Sequence, residues 1–358
     1  MFARLELLAV ISLCGGCFNF DQLDTLYMNV DASVPPPDLY MPVVCNGAEV
    51  ACHRKCFDLM TDNNHCGGCD TACNPGQECR AGVCASDWRV VQPMQQSQVA
   101  AGWASGVGDV YAVGEYTIHS SDNGASWLPQ PSPVGLSLKA IWGSGKGDIY
   151  SAGEAGTILR STGNNDWTNQ ISTTTSQISM LWGNSAGSII AVTEGGTVLN
   201  SAGTGVWTPV ATLAGDTVNL PVIWGSGTNY WIGGETYLWR SIDGGIKFKI
   251  ELTQAFVAVW GTDVTHVFGV ESDGTVVSSN GDGTWPTMKS LPGSYLTMWG
   301  TTASDFYIGG LSGEIQHFSN GTFIAEASGT GDSITVIFGG GAADVYAGTE
   351  NGQIFRRK

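Results

Sequence analysis

Six glutamates recur at one position of a repeated phrase in the sequence. Each ends a short apolar run and opens a turn, at Glu115, Glu154, Glu194, Glu235, Glu271 and Glu350. A ring of such carboxylates could attract cations or amines, or could bind Ca²⁺, which takes several carboxylate oxygens. The same residue could instead start a tight hairpin in every repeat and stay solvated. Both interpretations stay open, because copying a turn reproduces its glutamate without any selection for a ring.

One repeat departs from this pattern, since Leu311 occupies the position and Glu314 follows three residues later.

Glycoside hydrolysis needs two carboxyl groups about 5–10 Å apart with unequal pKa values, and these glutamates could include such a pair. The sequence contains no suitably paired histidine and no Gly-x-Ser-x-Gly nucleophile motif. We therefore predict no catalytic residue, and we keep glycoside hydrolysis as the alternative.

The phrase that carries the glutamates returns seven times, with a period of 36 to 42 residues. Its aromatic anchors are Trp103, Trp142, Trp182, Trp224, Trp260, Trp299 and Phe338. A period near ~40 residues that contains several short β-type runs is typical of a β-propeller. The runs of the second period are 136–143, 148–153, 156–161 and 166–172. We therefore predict an all-β, seven-bladed propeller of four-stranded blades, with strands A to D in that order.

The two ends of the repeat array predict how the ring closes. A second set of aromatics lies in the predicted strands D, at Trp88, Trp127, Trp167, Trp207, Phe248, Trp285 and Phe323. The first of these comes before the first strand A, and the last repeat ends without one. We therefore predict that the segment near Trp88–Val91 supplies strand D of the blade formed by residues 333–357. Ring closure of this kind protects sheet edges that an open stack would expose.

The anchors and the loops have separate predicted roles. The seven anchor aromatics could stack on sugars, but we expect them to pack between neighbouring blades. The D–A connections, exemplified by 128–137, 208–219 and 286–293, vary most between repeats. Because variable loops on a rigid scaffold commonly carry specificity, we predict that ligands bind on their face of the propeller.

The turn between strands C and D is a further marker. Residues 120–127 read SSDNGASW, which follows the pattern Ser-x-Asp-x-Gly-x-Ser/Thr-Trp, and weaker copies occur in five later repeats. This pattern resembles the Asp-box (bacterial neuraminidase repeat) propellers, and the Trp-Gly and Val-Gly-Glu phrases resemble the photosystem II assembly-factor propellers. The resemblance covers about residues 88–358. It implies a propeller fold and a structural role for Asp122, in a turn opposite the binding face.

A sialidase-like activity would also require three arginines that grip a carboxylate. The predicted propeller contains only Arg89, Arg160, Arg240, Arg356 and Arg357. Arg160 and Arg240 share one repeat position beside the C–D turn, on the face opposite the predicted ligand face. We therefore expect no arginine triad there, and glycoside hydrolysis of this propeller class remains the alternative function.

The first 44 residues predict export and a tether. Residues 1–17 contain one early arginine, an apolar run too short to span a bilayer, and Gly15-Gly16 before Cys17. This resembles the lipobox of bacterial lipoproteins, in which Cys17 would be acylated; an ordinary secretory signal is the alternative. Residues 18–44 contain a triple proline and no usable period, so they read as an extended tether.

A cysteine-rich segment follows at 45–85 and precedes the propeller at 86–358. Eight cysteines lie here, at Cys45, Cys52, Cys56, Cys66, Cys69, Cys73, Cys79 and Cys84. In an exported chain they predict four disulfides of undetermined pairing, which staple a segment too small for a core. Zinc at Cys66-Gly-Gly-Cys69 is the alternative, although only one such pair is present. The string at 56–84 resembles the stigma-specific cysteine-rich proteins, which implies a small extracellular module.

The net charge of the chain excludes one class of binding partner. The net charge is −17, so a nucleic acid would be repelled. We predict a monomeric, non-catalytic binding or scaffold lipoprotein that recognises a protein or glycan through the propeller loops. No cofactor is expected unless the glutamates bind Ca²⁺. The membrane would be contacted only through acyl chains, and the protein would be at the outer membrane or cell surface, or secreted.

Overall fold

The computed structural model describes residues 43–74, 77–92, 98–213 and 222–358. They belong to two compact units that divide between Phe57 and Asp58, inside the predicted cysteine-rich segment. None of the helices in these ranges has the length and apolar composition of a membrane span. The predicted signal peptide, Cys17 and nearly all of the tether lie outside the described residues.

The first unit is a small hairpin in its described part. Val50–Cys52 pairs antiparallel with Lys55–Phe57, and a disulfide joins Cys45 to Cys56. The two residues between the strands, His53 and Arg54, both have positive φ values, of 49° and 71°. The turn therefore reverses the chain within two residues, and the disulfide fixes the hairpin where little core is available.

The second unit begins with the remainder of the cysteine-rich segment. A hairpin pairs Glu78–Arg80 with Val83–Ala85. Disulfides join Cys66 to Cys79 and Cys73 to Cys84, and Cys52 and Cys69 are disulfide-bonded as well. All eight cysteines are thus oxidised, which confirms the predicted four disulfides.

Seven four-stranded antiparallel sheets follow, and they confirm the predicted propeller. Blades 1 to 3 consist of Ala101–Gly106, Asp109–Val113, Thr117–Ser120, Leu128–Pro129; Leu138–Gly145, Asp148–Gly153, Ile158–Ser161, Trp167–Asn169; and Ile178–Ser185, Ser188–Thr193, Thr197–Ser201, Thr208–Thr212. Blades 4 and 5 consist of Val222–Ser226, Asn229–Gly233, Leu238–Ser241, Lys249–Leu252; and Phe256–Asp263, His266–Glu271, Thr275–Ser279, Thr287–Ser290. Blades 6 and 7 consist of Tyr295–Thr302, Asp305–Gly310, Glu314–Ser319, Thr322–Ala327; and Ile334–Gly341, Asp344–Thr349, Ile354–Arg357, Trp88–Gln92. The short 3₁₀ turns Glu154–Gly156 and Leu311–Gly313 join strands B and C in blades 2 and 6.

The assigned strands correct one sequence-based prediction. The ranges given as variable D–A loops contain strand D itself, at Leu128–Pro129, Thr208–Thr212 and Thr287–Ser290. In these blades strand D begins one or two residues after the aromatic residue that was predicted to lie within it, so the predicted loop ranges include strand residues. The described connections at 130–137 and 291–294 are correspondingly shorter than predicted.

Apolar strands fill the space between neighbouring sheets. Strand B of blade 3 is an example, since Ile189, Ile190, Ala191 and Val192 are all inaccessible to solvent. Because successive side chains of a strand point to opposite faces, such a run contacts both adjacent blades. The core is therefore a ring of inter-blade layers.

The anchor aromatics lie in these layers, as predicted. The Trp103 ring occupies the space beside Gly143 of the next blade, where a Cβ atom would approach it to 2.6 Å. The same relation joins Trp142 to Gly183 at 2.5 Å, and Phe338 of blade 7 to Gly102 of blade 1. A glycine faces the wedge in each of these three layers. Gly143 and Gly183 belong to Trp-Gly phrases, whereas Gly102 precedes its anchor, Trp103, which Ala104 follows.

Replacing Gly102 with alanine tests this wedge. The new methyl group would overlap the ring of Phe338, which is buried and cannot move aside. We expect the free energy of unfolding to fall by about 1–3 kcal/mol, the usual cost of overpacking. Gly106→Ala in the same strand is the control, because no atom lies within 4 Å of its Cβ position. Equal urea midpoints for the two variants would contradict the wedge.

The ring closes where the sequence predicted. Trp88–Gln92 pairs antiparallel with Ile354–Arg357, so the first strand of the propeller completes the last blade. The preceding residue, Asp87, accepts a bidentate bond from Arg80 at 2.6 and 2.8 Å and a bond from the Ala327 amide at 2.8 Å. The cysteine-rich hairpin is thereby tied to the strand that closes the ring.

Candidate functional site

The topology gathers two kinds of connection at one end of the propeller. Strand A begins beside the end of strand B, as the pairing of Leu138 with Gly153 shows. The B–C turns and the D–A connections therefore lie together, and we call this the loop end. The A–B and C–D turns lie at the opposite end, which we call the turn end. All six candidate glutamates are at the loop end.

Four of these glutamates bind the start of strand A in their own blade. Glu154 accepts a bond from the Ser137 amide at 3.3 Å, and Glu350 accepts bonds from the amide and hydroxyl of Ser333, both at 3.0 Å. In the same way, Gln177 donates to Glu194 at 2.5 Å and Gln254 donates to Glu271 at 2.9 Å. In each case one carboxylate oxygen fixes the side chain to its blade.

The local environments of these carboxylates differ. Burial raises the pKa of Glu271 and that of Glu314, the substitute for Leu311 in blade 6. Hydrogen bonds from Ser333 lower the pKa of Glu350. Glu235 is exposed. These carboxylates therefore have unlike surroundings, although all of them lie at the loop end.

The described residues offer no carboxylate cluster for a metal ion. Among them, the ligand atoms of three or more His, Cys, Asp or Glu residues come together only at Cys66, Cys73 and Cys84. Those sulfurs are disulfide-bonded. Four glutamates of the loop end thus bind their own blades, and no three carboxylates of the described ranges bring their oxygens together.

The described loops of the loop end carry charge of one sign. Its described B–C turns and D–A connections contain carboxylates but no lysine, arginine or histidine. Besides the six glutamates, these segments or their borders contribute Asp273, Glu314 and Asp332. Lys139 and Lys289 are nearby, in strands A and D. The turn end mixes both signs, because Lys146 and Lys247 lie there with aspartates of the C–D turns. The field at the loop end therefore attracts cations.

The C–D turns themselves are closed by their own side chains. Asp122 accepts bonds from the Ser126 amide at 2.9 Å and from the Ser120 and Ser126 hydroxyls, at 2.8 and 2.6 Å. These bonds, led by that from the Ser126 hydroxyl, lower the pKa of Asp122 to about 2. In blade 4, Asp243 accepts the corresponding bonds from the backbone amide of Lys247 and from the hydroxyl of Ser241. Such turns position the chain, which fits the predicted structural role of Asp122.

Four of the five propeller arginines bind carboxylates of strands B or D, and the fifth, Arg89, is exposed in the strand that closes the ring. Arg160 binds Asp148, and Arg240 binds Glu251 and the Gly281 carbonyl of the next blade. Arg356 binds Asp344, and Arg357 binds Glu326. The described residues therefore assemble no arginine triad at the loop end.

The four bound arginines share a contact that was not predicted from the sequence, because each lies over an aromatic ring of a strand B. Arg240, for example, lies over Trp231 with its guanidinium carbon 4.8 Å from the ring centre. The signal was present in the repeat, because Asp-x-Tyr in strand B is followed by arginine or histidine in strand C. Strand register turns this spacing into a cross-strand pair.

Comparison with known proteins finds separate similarities for the two parts of the chain. Residues 41–87 match the stigma-specific STIG1-like protein family. The propeller is similar to YCF48 bound to a D1 peptide, with 14% identity, a TM-score of 0.64, and coverage of 76% of this chain and 97% of that chain. It is also similar to YCF48 from Cyanidioschyzon merolae, with 13% identity, a TM-score of 0.63, and coverage of 76% and 98%.

Other propellers match at the same level. The WD40 domain of Doa1 shares 14% identity, with a TM-score of 0.60 and coverage of 76% and 97%. A streptogramin B lyase shares 13% identity, with a TM-score of 0.63 and coverage of 75% and 96%. A comparison with curated proteins finds no match to the chain. At these identities the similarity establishes the fold alone.

Proposed function

We propose that the protein is a non-catalytic binding protein whose propeller recognises a protein partner through the loop end. The observation that carries this proposal is the single sign of charge in the described loops of that end. Such a surface complements a basic protein segment and raises its rate of association. The glutamates bound to their own blades are already positioned, so binding would cost little ordering of these side chains.

Several observations support a protein ligand over a glycan. The loop end is acidic, whereas neutral glycans gain nothing from a charged surface. YCF48, which is similar in fold, is described with a bound peptide. Proteins of this fold also include a lyase, so the non-catalytic assignment is a proposal, supported by the bonds of four glutamates to their own blades and of four arginines to carboxylates. Turnover of aryl glycosides that a glutamate-to-glutamine change abolishes would contradict it.

A panel of fluorescent peptides, ranging from strongly acidic to strongly basic, tests the proposal on the full chain. We expect binding of the basic peptides, with affinity that falls as salt concentration rises. The double variant Glu194→Gln/Glu235→Gln removes two exposed carboxylates and should raise Kd by about 3- to 10-fold. Asp166→Asn/Asp243→Asn removes the same charge at the turn end, away from blade 5, and should leave Kd unchanged. No binding of any basic peptide, or equal effects of both variants, would contradict the proposal.

We further propose that the protein is exported and lipid-anchored through Cys17. The oxidised cysteines support an oxidising compartment. The Gly-Gly-Cys sequence after a short apolar run supports acylation at that residue. In bacterial cells fed radioactive palmitate, we expect the chain to be labelled and Cys17→Ser to remove the label. Label that survives this substitution would contradict the anchor, while leaving export untouched.

A further inference from the structure

One cross-strand pair recurs around the propeller. The third residue of strand B faces one residue of strand C in every blade, and in five blades the two are an aromatic and a basic side chain. These pairs are Tyr111 and His119, Tyr150 and Arg160, Trp231 and Arg240, Tyr307 and His317, and Tyr346 and Arg356. The fold therefore stacks a basic group on a ring repeatedly at equivalent places.

The geometry of these pairs is uniform. The guanidinium carbons of Arg160 and Arg356 lie 5.4 and 5.7 Å from the centres of their rings. The imidazoles of His119 and His317 stack on their tyrosines at 4.0 and 4.1 Å. Arg160 also donates to the Gly203 carbonyl in the C–D turn of the next blade at 3.3 Å. Arg240 likewise donates to the Gly281 carbonyl at 2.9 Å, so both arginines lie between an aromatic ring of their own blade and the C–D turn of the next.

Blade 5 keeps the aromatic residue but lacks the basic one. Phe268 faces Ser278 in the same register. A pocket of about 240 Å³ lies there, lined by Phe268, Ser278 and neighbouring residues that include His266 and Thr284. Blade 3 makes a useful contrast, because it pairs Ile190 with Asn200 and so lacks both members of the pair. We call the space in blade 5 the blade-5 pocket.

The surroundings of the blade-5 pocket are negative. His266, which lines it, bonds to the Asp263 carboxylate at 3.0 Å, and Thr284, which also lines it, bonds to Asp282 at 2.6 and 2.8 Å. Hydrogen bonds from Thr265 and Thr284 lower the pKa of Asp263 and of Asp282, respectively, so both are ionised at neutral pH. No lysine or arginine lines the pocket. Charge complementarity therefore favours a cationic occupant.

We propose that the blade-5 pocket binds an arginine side chain of a protein partner, which takes the place that the chain's own basic residue fills in other blades. A guanidinium suits the site because it can stack on the ring and donate to hydroxyls and carbonyls around it. This site is at the turn end and is separate from the loop end. One side chain contributes little affinity alone, so a single arginine derivative should bind with a Kd on the order of millimolar.

The test uses the full ¹⁵N-labelled chain and N-acetyl-arginine amide as the probe. We expect the probe to shift the amide resonances of Phe268, Ser278 and Thr284 in a saturable manner. N-acetyl-citrulline amide, which has nearly the same shape without the charge, should produce no saturable shift. Equal shifts with both compounds, or no shift at these residues at tens of millimolar probe, would overturn the proposal.

A pair of variants sharpens this test. Ser278→Arg supplies the missing basic group from the chain itself, so it should fill the pocket and abolish the probe shifts. Asn200→Arg adds the same charge at the equivalent position of blade 3 and should leave the shifts unchanged. Undiminished shifts in a folded Ser278→Arg protein would overturn the proposal. If that variant does not fold, the comparison of the two probes on the unaltered chain still decides.

Discussion

Replacing Trp88 with alanine is expected to lower the free energy of unfolding by about 3–5 kcal/mol, the usual cost of removing a buried aromatic side chain. Trp88 is only 1% exposed and packs edge-on against Tyr307 of blade 6, with ring centres 6.1 Å apart. Its indole nitrogen also donates to Glu326 at 3.0 Å. Because it begins the strand that closes the ring, its loss weakens both the closure and the layer between blades 6 and 7.

Urea unfolding of the full chain, followed by circular dichroism, measures this effect. Val90→Ala is the matched control, because Val90 is in the same strand but 48% exposed. We expect that control to stay within about 0.5 kcal/mol of the unaltered chain. A loss for Trp88→Ala no larger than that of the control would show that closure does not depend on this residue.

Replacing Asp344 with alanine should destabilise the protein by a similar amount, about 3–5 kcal/mol, because it leaves the partly buried Arg356 charge and the buried Gly108 amide without their partner. The carboxylate is inaccessible to solvent and binds the Gly108 amide of blade 1 at 2.7 Å. It also accepts a bond from the Tyr346 hydroxyl at 2.8 Å and from Arg356 at 3.2 Å. One side chain thus joins the last blade to the first.

Asp148 of blade 2 supplies the control for this second prediction. It occupies the equivalent position and binds Arg160, but its side chain is 13% exposed, compared with 1% for Asp344. Because water can reach the groups that Asp148→Ala would leave unpaired, we expect a smaller loss of stability. The same urea assay compares the two variants. Equal losses would mean that the bond across the blade 7–blade 1 boundary adds nothing.

The closure of the ring was predictable from the sequence because it follows from the number and order of the aromatic residues in the repeats. Seven anchors and seven D-strand aromatics, with Trp88 displaced to the front, admit one arrangement of complete blades. The anchor positions were predictable for a related reason, since a large ring next to glycine recurs in every repeat. Such features depend on the order and size of residues, which the sequence states directly.

The pairing of side chains across strands was harder to predict. The position of Arg240 over Trp231 depends on strand register, which shifts the facing residue by one with each slip. The bonds of Glu194 and Glu350 to the start of strand A depend on contacts between residues 17 apart. The sequence placed these glutamates at one end of the fold, but whether they converge is a matter of three-dimensional geometry.

The disulfide pairing could not be deduced for the same reason. Cys66 joins Cys79 and Cys73 joins Cys84, so the two loops overlap along the chain. Spacing alone allows many other pairings of eight cysteines. The cysteine content of the segment predicted that disulfides cross-link it, while the fold of its hairpins decides which cysteines pair.

Amide hydrogen exchange of the full chain, with and without the tightest-binding basic peptide of the panel, tests the central claim most directly. If the loop end is the binding surface, the peptide should slow exchange in the B–C turns, including 114–116, 194–196 and 234–237. Exchange in the C–D turns at 121–126 and 242–247 should not change. Slowed exchange confined to the C–D turns, with the B–C turns unaffected, would contradict the account.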